Sequence, residues 1–214
     1  MLAVDTSTAS GSVALLDGED AVAEFTLGSN KTHSENIMVV IDSLFKSVGV
    51  GITTVDVFAV STGPGSFTGL RVGISVIKGL AWCMNKPVIG ISTLMSLAMN
   101  IPYANGTVCP IINARKGQIY AGLYKWEDCD MKVILEDKAM YPESLIESVN
   151  NEVIFLGDGL DICGDLIKNS LCGSLLVPRY LWTIRASNTG RLALKKFDKR
   201  HTAAEIIPIY MRDM

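Results

Sequence analysis

Hydrophobic positions along the chain switch between a period of two and a period of 3.6, and the switches mark its elements. Leu2 to Val4, Gly11 to Leu16 and Ala21 to Leu27 are short apolar runs, and Asp17-Gly18 between the last two is a hairpin signal, so the chain opens with three antiparallel strands. Thr32-His33-Ser34-Glu35 has the T-x-x-E spacing of a capping box. Ile37, Val40, Ile41, Leu44, Phe45 and Val48 then recur at helical spacing, and that helix ends near Gly49. Val55 to Val60 is a short apolar run rich in β-branched residues, the mark of a buried strand. It feeds Thr62-Gly-Pro-Gly-Ser66, from which a helix runs from Phe67 to about Asn85; Lys86-Pro87 stops it, and Val88 to Ile91 is the next strand. The order β-β-β-α-β-α-β joins a meander to parallel strands with helical crossovers, which predicts a mixed sheet covered by helices.

In the second half, Thr107 to Asn113, Gln118 to Tyr124, Lys132 to Leu135 and Val153 to Leu156 read as strands. Pro142 to Val149, Asp161 to Lys168 and Ala186 to Phe197 read as helices. A boundary in the loop around Asn100 to Gly106 predicts an N-terminal α/β unit, residues 1–103, and a smaller C-terminal one, residues 104–214. No repeat or low-complexity tract interrupts them.

The helix from Phe67 is apolar around most of its circumference, leaving roughly a quarter for Thr68, Arg71, Ser75 and Lys78. One sheet cannot bury so much. Gly69 and Gly73 lie four apart on one face and let another backbone approach, although each costs about 1 kcal/mol of helix stability relative to alanine. Two readings stay open: close packing on the chain's own sheet, or a helix shared with a partner's helices. The preceding helix has a wide apolar stripe and adds Met38 and Val39, so the two helices together form one adhesive face.

Composition agrees. The 214 residues carry a net charge of -3, 49% are hydrophobic and 19% charged. A mean hydropathy of +0.32 leaves the surface short of charge, as for a protein covered in part by another. A chain this far from basic does not grip RNA unaided, since neutralising phosphates takes many Lys and Arg. Five scattered cysteines without a C-x-x-C pair argue against disulfides and thiolate zinc, and point to a reducing cytoplasm. No leader and no apolar run near the roughly 20 residues of a membrane span is expected.

Asp5-Thr-Ser-Thr8 lies between two strands, where hydroxyls and backbone N–H groups would cradle a phosphate while Asp5 holds a metal or water; on local grounds a turn closed by its own side chains is favoured. Gly63-Pro-Gly-Ser66 leads into a helix N-terminus, an anion-binding position, without the order of a Walker loop; the alternative is a tight turn capped by Ser66. Asp5, Thr6, Ser7, Gly63, Gly65 and Ser66 are therefore the candidate nucleotide-binding residues. His33 and His201 are far apart and form no zinc motif, and no G-x-S-x-G elbow is present. His33 reads as part of a cap or interface, and Lys195-Lys196 with Lys199-Arg200-His201 as a solvated helix end. No catalytic residue and no metal ligand is expected.

Leu2-Ala-Val-Asp-Thr-Ser-Thr8, His33-Ser34, Thr62-Gly-Pro-Gly-Ser-Phe-Thr-Gly-Leu-Arg-Val-Gly73, Asn113-Ala-Arg-Lys-Gly-Gln-Ile-Tyr-Ala121 and Pro208-Ile-Tyr-Met-Arg212 resemble the TsaB family, also called YeaZ. The resemblance is specific up to about Tyr124. It implies the actin-like, heat-shock-chaperone ATPase fold, a ribonuclease H-like α/β architecture of mixed sheet and flanking helices in two subdomains. It further implies a non-catalytic scaffold or activator subunit of a TsaB-TsaD-TsaE complex that forms threonylcarbamoyladenosine beside the anticodon of tRNAs reading ANN codons.

On that resemblance the helices starting near Ser34 and Phe67 would bind TsaD, or a second copy when TsaD is absent, through His33, Ile37, Met38, Ile41, Phe67, Leu70, Arg71 and Ile74. ATP and a metal would belong to the partner subunits, this chain having no cofactor of its own, and tRNA would be met through the complex only. Relatives that bind phosphate place glycine in the first loop where Ser7 and Ser10 stand here, which implies a weak or vestigial nucleotide site. Two other functions compete: an ATP-dependent phosphotransferase of the same fold, built on Asp5 and the Gly63 to Ser66 loop, and a glycoprotease-like peptidase, for which the metal ligands or nucleophile-base pair are missing.

Overall fold

The three opening runs do form a meander: β1 (Leu2–Asp5), β2 (Gly11–Asp17) and β3 (Asp20–Leu27) pair antiparallel, with Val4 opposite Val13 and Val13 opposite Phe25. The computed structural model describes residues 1–28, 33–128, 130–149, 152–197 and 202–211. The Thr32 capping box, the side chain of His33, the Lys199-Arg200-His201 cluster and Arg212 lie outside the described residues.

The first of two units comprises Met1–Ser96 and Ile184–Tyr210. β4 (Phe58–Gly63) and β5 (Val88–Ser92) continue the sheet in parallel, giving the order β3-β2-β1-β4-β5. α1 (His33–Val48) and α2 (Phe67–Met84) cover one face. Leu2, Val4, Val13 and Leu15 meet Ile37, Ile41 and Leu44 of α1 and Leu70, Ile74 and Ile77 of α2 in one apolar cluster. Alternation along a strand turns Ala3 and Ala14 to the opposite face, which α6 (Ala186–Lys196) covers. Small side chains bring α6 close: a Cβ at Gly190 would lie 2.6 Å from Leu16 Cδ1.

This packing corrects the expected units. The division falls between Ser96 and Leu97, not at 103, and residues 184–210 return to the first unit rather than belonging to a 104–214 unit, because α6 packs on that sheet face. Glu24 of β3 fastens it. Its carboxylate accepts Ser187 N–H (2.9 Å), the Ser187 hydroxyl (3.0 Å) and the Arg185 guanidinium (2.9 Å) at the helix N-terminus.

Three local readings also change. Ile52–Thr54 forms a 3-10 turn, so β4 begins at Phe58 and not at Val55, although Val55 and Val57 stay buried. Thr93–Ala98 is an unexpected short helix, α3, which Ser92 caps by accepting Met95 N–H (3.1 Å). α2 has 18 residues and a mean hydropathy of 1.2, long and apolar enough by composition to span a membrane, while Leu70, Gly73, Ile74, Ile77 and Ala81 are buried on its sheet side.

The second unit, Leu97–Thr183 with Met211–Met214, holds β6 (Thr107–Arg115), β7 (Gln118–Glu127), β8 (Asp130–Met140), β9 (Val153–Leu156) and β10 (Leu175–Leu176) in the order β10-β9-β6-β7-β8. β6, β7 and β8 are an antiparallel meander, and β9 and β10 add parallel strands. α4 (Pro142–Ser148) and α5 (Leu160–Ser170) supply Leu145, Cys163 and Ile167 to a core with Ile111, Ile119 and Phe155. Both units are thus mixed sheets flanked by helices, as the order of elements predicts.

Candidate functional site

Asp5, Thr6, Ser7, Gly63, Gly65 and Ser66 come together where β1 and β4 end, and the polar groups of Asp5, Thr6, Ser7 and Ser66 are engaged within the chain. Asp5 is buried, accepts Ser7 N–H (3.1 Å), and has the Ser7 hydroxyl 3.0 Å from each carboxylate oxygen. That is the turn closed by its own side chains. The Thr6 hydroxyl donates to the Gly69 carbonyl (2.7 Å), and Ser66 N–H donates to the Ser7 carbonyl (2.6 Å). Ser66 caps α2 by accepting Gly69 N–H (3.3 Å), as the alternative reading of its loop expects.

The glycines make this closeness feasible. A Cβ would lie 2.3 Å from the Ser7 carbonyl oxygen at Gly65, 2.0 Å from the Thr6 carbonyl oxygen at Gly69, and 2.3 Å from Thr6 Oγ1 at Gly73. The backbone that approaches α2 is therefore the chain's own first loop, which decides the question left open for Gly69 and Gly73. A phosphate at this helix N-terminus needs free N–H groups. Here Ser66 N–H faces Ser7, Gly69 N–H faces Ser66, and the Thr6-Ser7 backbone fills the space beside them. The Ser66 and Gly69 N–H groups are therefore engaged within the chain, and the first loop narrows the space a phosphate would take. Among the described residues no cluster of three or more His, Cys, Asp or Glu is placed to hold a metal ion.

The eight candidate partner-binding residues divide by helix face. Ile37, Ile41, Leu70 and Ile74 are between 1% and 4% exposed and belong to the apolar core, so their assignment to a partner surface is corrected: they face their own sheet. Met38, Phe67 and Arg71 are on the outside, with Met38 and Phe67 each 50% exposed. The side chain of His33 is outside the described residues.

Val72, Val76, Trp82 and Tyr210 are outer residues that the sequence reading missed, whereas Ser75 lies on the polar strip it predicts. Val72, Ser75 and Val76 join Phe67, Thr68 and Arg71 in a shallow groove of about 440 Å³, and Trp82 is 82% exposed further along the helix. Tyr210 stacks on Phe67 (ring centroids 4.8 Å apart) and accepts Arg71 Nε–H (2.9 Å). The Arg71 guanidinium lies 3.7 Å from the Phe67 ring centroid, a cation–π contact that fixes the groove's mouth. Their signal was present in the sequence as excess hydrophobicity, without direction.

In the second unit Asp158 follows β9 and accepts Asn113 N–H (3.0 Å). Burial pushes its carboxyl above the ordinary value of 3.8; the Asn113 hydrogen bond opposes this, Asp161 adds to it and Arg179 opposes it. Arg179 itself grips Asp161 through two bonds of 2.9 and 3.1 Å. Burial also raises the Cys163 thiol to about 11 and Cys109 well above the ordinary range, so neither is a ready thiolate nucleophile.

Comparison with known proteins places this geometry. The profile of a family described as "TsaD: tRNA N6-adenosine threonylcarbamoyltransferase" matches residues 27–213. The chain is 31% identical to the tRNA threonylcarbamoyladenosine biosynthesis protein TsaB of Haemophilus influenzae, over 100% of this chain and 93% of that protein. It is 30% identical to TsaB of Escherichia coli, over 100% and 94%. YeaZ from Pseudomonas aeruginosa superposes with a TM-score of 0.81 at 25% identity, over 98% of both chains. The ethanolamine utilization protein EutJ from Carboxydothermus hydrogenoformans shares the fold at a TM-score of 0.52 and 12% identity, over 89% of this chain and 88% of that one. With its two mixed sheets in the actin-like ATPase fold, the chain belongs to the TsaB (YeaZ) family of tRNA threonylcarbamoyladenosine biosynthesis proteins.

Proposed function

We propose that the chain is a non-catalytic scaffold and activator: it presents the outer faces of α1 and α2 to a TsaD-type catalytic subunit and, together with TsaE, enables threonylcarbamoylation of the adenosine beside the tRNA anticodon. The observation that carries this reading is the outer side of α2, where Phe67, Val72, Val76 and Trp82 are left wholly or partly uncovered after the inner side has filled the core. An apolar strip of this kind on a charge-poor chain is what a helix-to-helix interface needs. The closed first loop and the raised thiols support leaving ATP, metal and bond-making to the partners. In the same reading the protein works in the cytoplasm, pairs with a second copy when the catalytic subunit is absent, and meets tRNA only within the complex.

The test is reconstitution of the modification from purified components, with ATP, threonine, bicarbonate and tRNA, with and without this chain. Product that depends on adding the chain is expected. Product formed at the same rate in its absence overturns the scaffold reading.

A further inference from the structure

The hairpin that joins β6 to β7 is built against its own backbone preferences. Arg115 pairs with Gln118 across a two-residue turn, Lys116-Gly117, and Arg115, Lys116 and Gly117 have φ of 65, 54 and 78°. Three consecutive left-handed residues suit Asn and Gly, and a two-residue turn of this hand favours Asn-Gly. Two long cationic side chains stand there instead. Asn113 braces the tip, its side-chain oxygen accepting Arg115 N–H (2.7 Å), and its own N–H is held by Asp158 (3.0 Å).

Both cations are exposed. The ion pairs among the described residues of this unit are Lys125 with Glu127, Lys132 with Asp130, Lys168 with Asp165 and Arg179 with Asp161, and none involves the tip. The space about the turn is open, since a Cβ at Gly117 would meet nothing within 4 Å. The Asp158 carboxylate is bonded at the hairpin's base to Asn113 N–H.

We infer that this tip is a contact for the phosphate backbone of RNA, with Arg115 and Lys116 each pairing with a phosphodiester oxygen. The inference rests on the proposed role in tRNA modification. It concerns positioning of the nucleic acid, since phosphate contacts orient without reading sequence. An RNA backbone is favoured over an acidic protein surface because the residues flanking the two cations along the chain, Asn113, Ala114, Gly117 and Gln118, include no large apolar side chain to form the collar that surrounds charged anchors at protein interfaces. A two-cation contact also agrees with a chain of net charge -3, which adds to a complex's grip on RNA without supplying one alone.

The test uses the full chain assembled with its catalytic partner and tRNA affinity measured over a series of KCl concentrations. The variant Arg115→Asn with Lys116→Asn removes both charges while giving the turn residues that tolerate its backbone. The expected result is unchanged assembly, a melting temperature no lower than the parent's, tRNA binding weaker by about tenfold at the lowest salt, and a slope of log K against log salt smaller by about 1.5. Restoring charge with Arg115→Lys and Lys116→Arg recovers the slope. Unchanged affinity and slope overturn the inference, and so does loss of assembly by a folded variant, which makes the tip a protein-docking element. If the double variant fails to fold, Lys116→Gly, which relaxes the same turn, is read instead for about half the change in slope, and no change overturns the inference. A parent chain that neither binds the partner nor supports modification is a failure of the proposed function, recognised before any variant is compared.

Discussion

Gly65, Gly69 and Gly73 hold places where a single methyl group would collide with Thr6 or Ser7, and that residue-scale detail decides what the first loop does. Two of these glycines sit inside a helix at a cost of about 1 kcal/mol each, and the Thr6 and Ser66 hydrogen bonds across the seam offset it. Their spacing was legible in the sequence; the identity of the approaching backbone was not, because loop and helix are more than sixty residues apart and no local pattern links them. Asp158 shows the same limit, its environment being set by Asn113 and Arg179 from other elements. Its folded-state carboxyl titrates above the ordinary 3.8, so the stability it contributes is complete below that value and is lost as pH rises through the folded value. Asp158→Asn keeps an oxygen for Asn113 N–H and removes the ionisation. The variant should melt above the parent at pH 7, with the gap closing as pH falls toward 3.8, in thermal scans over a pH series. A gap that is constant with pH would contradict this assignment of the half-buried charge.

At the scale of elements, α2 shows what periodicity cannot resolve. Apolar side chains around nearly the whole helix give no preferred direction, so Leu70 and Ile74 looked as suitable for a partner as Val72 and Val76 do in the folded chain. The sheet chooses: Leu70 and Ile74 enter a cluster with Val4, Val13 and Val60, while Phe67 and Arg71 turn outward to Tyr210. Leu70→Glu buries an unpaired carboxylate and should cost roughly 4 kcal/mol or more, enough to unfold the unit. Val76→Glu, half-buried in the outer groove and packed in part against the core, should cost less than Leu70→Glu, about 1–2 kcal/mol, while abolishing association with the proposed catalytic partner. Circular dichroism melts beside gel filtration of the mixed subunits separate the two effects. A Val76→Glu chain that still forms the complex would remove the outer face of α2 from the interface. Elsewhere, elements with a clean period were read to within a few residues, β9 among them, whereas β10 and α3 are too short to impose a period and went unseen.

For the whole molecule, the decisive step is the return of the chain to its first sheet. Elements could be recognised one at a time, but α6 carries Ser187, Asn188 and Thr189 in buried positions, a composition that looks like a surface helix until its partners are known. Those partners are Glu24 for Ser187, and Ser61 and Ser96 for Thr189, between 93 and 163 residues away in sequence. Hydroxyls paired in this way let α6 lie on a sheet face lined by Ala3, Ala14 and Leu16 without a large apolar stripe of its own. The first unit is consequently incomplete until nearly the end of the chain is present. A chain ending at Thr183 keeps every strand of the first sheet and both helices of the proposed interface, yet exposes that face and leaves the Glu24 carboxylate without Arg185 and Ser187. The first unit should keep much of its far-ultraviolet signal, lose its cooperative melt and bind a hydrophobic dye, the signature of a compact state without fixed packing, while the second unit keeps its own core. Adding residues 184–211 as a separate peptide should restore cooperative melting, because the contacts α6 makes do not require chain continuity. A truncated chain that melts as sharply and as high as the parent would show instead that α1, α2 and the sheet suffice, and that the returning segment only decorates a finished fold.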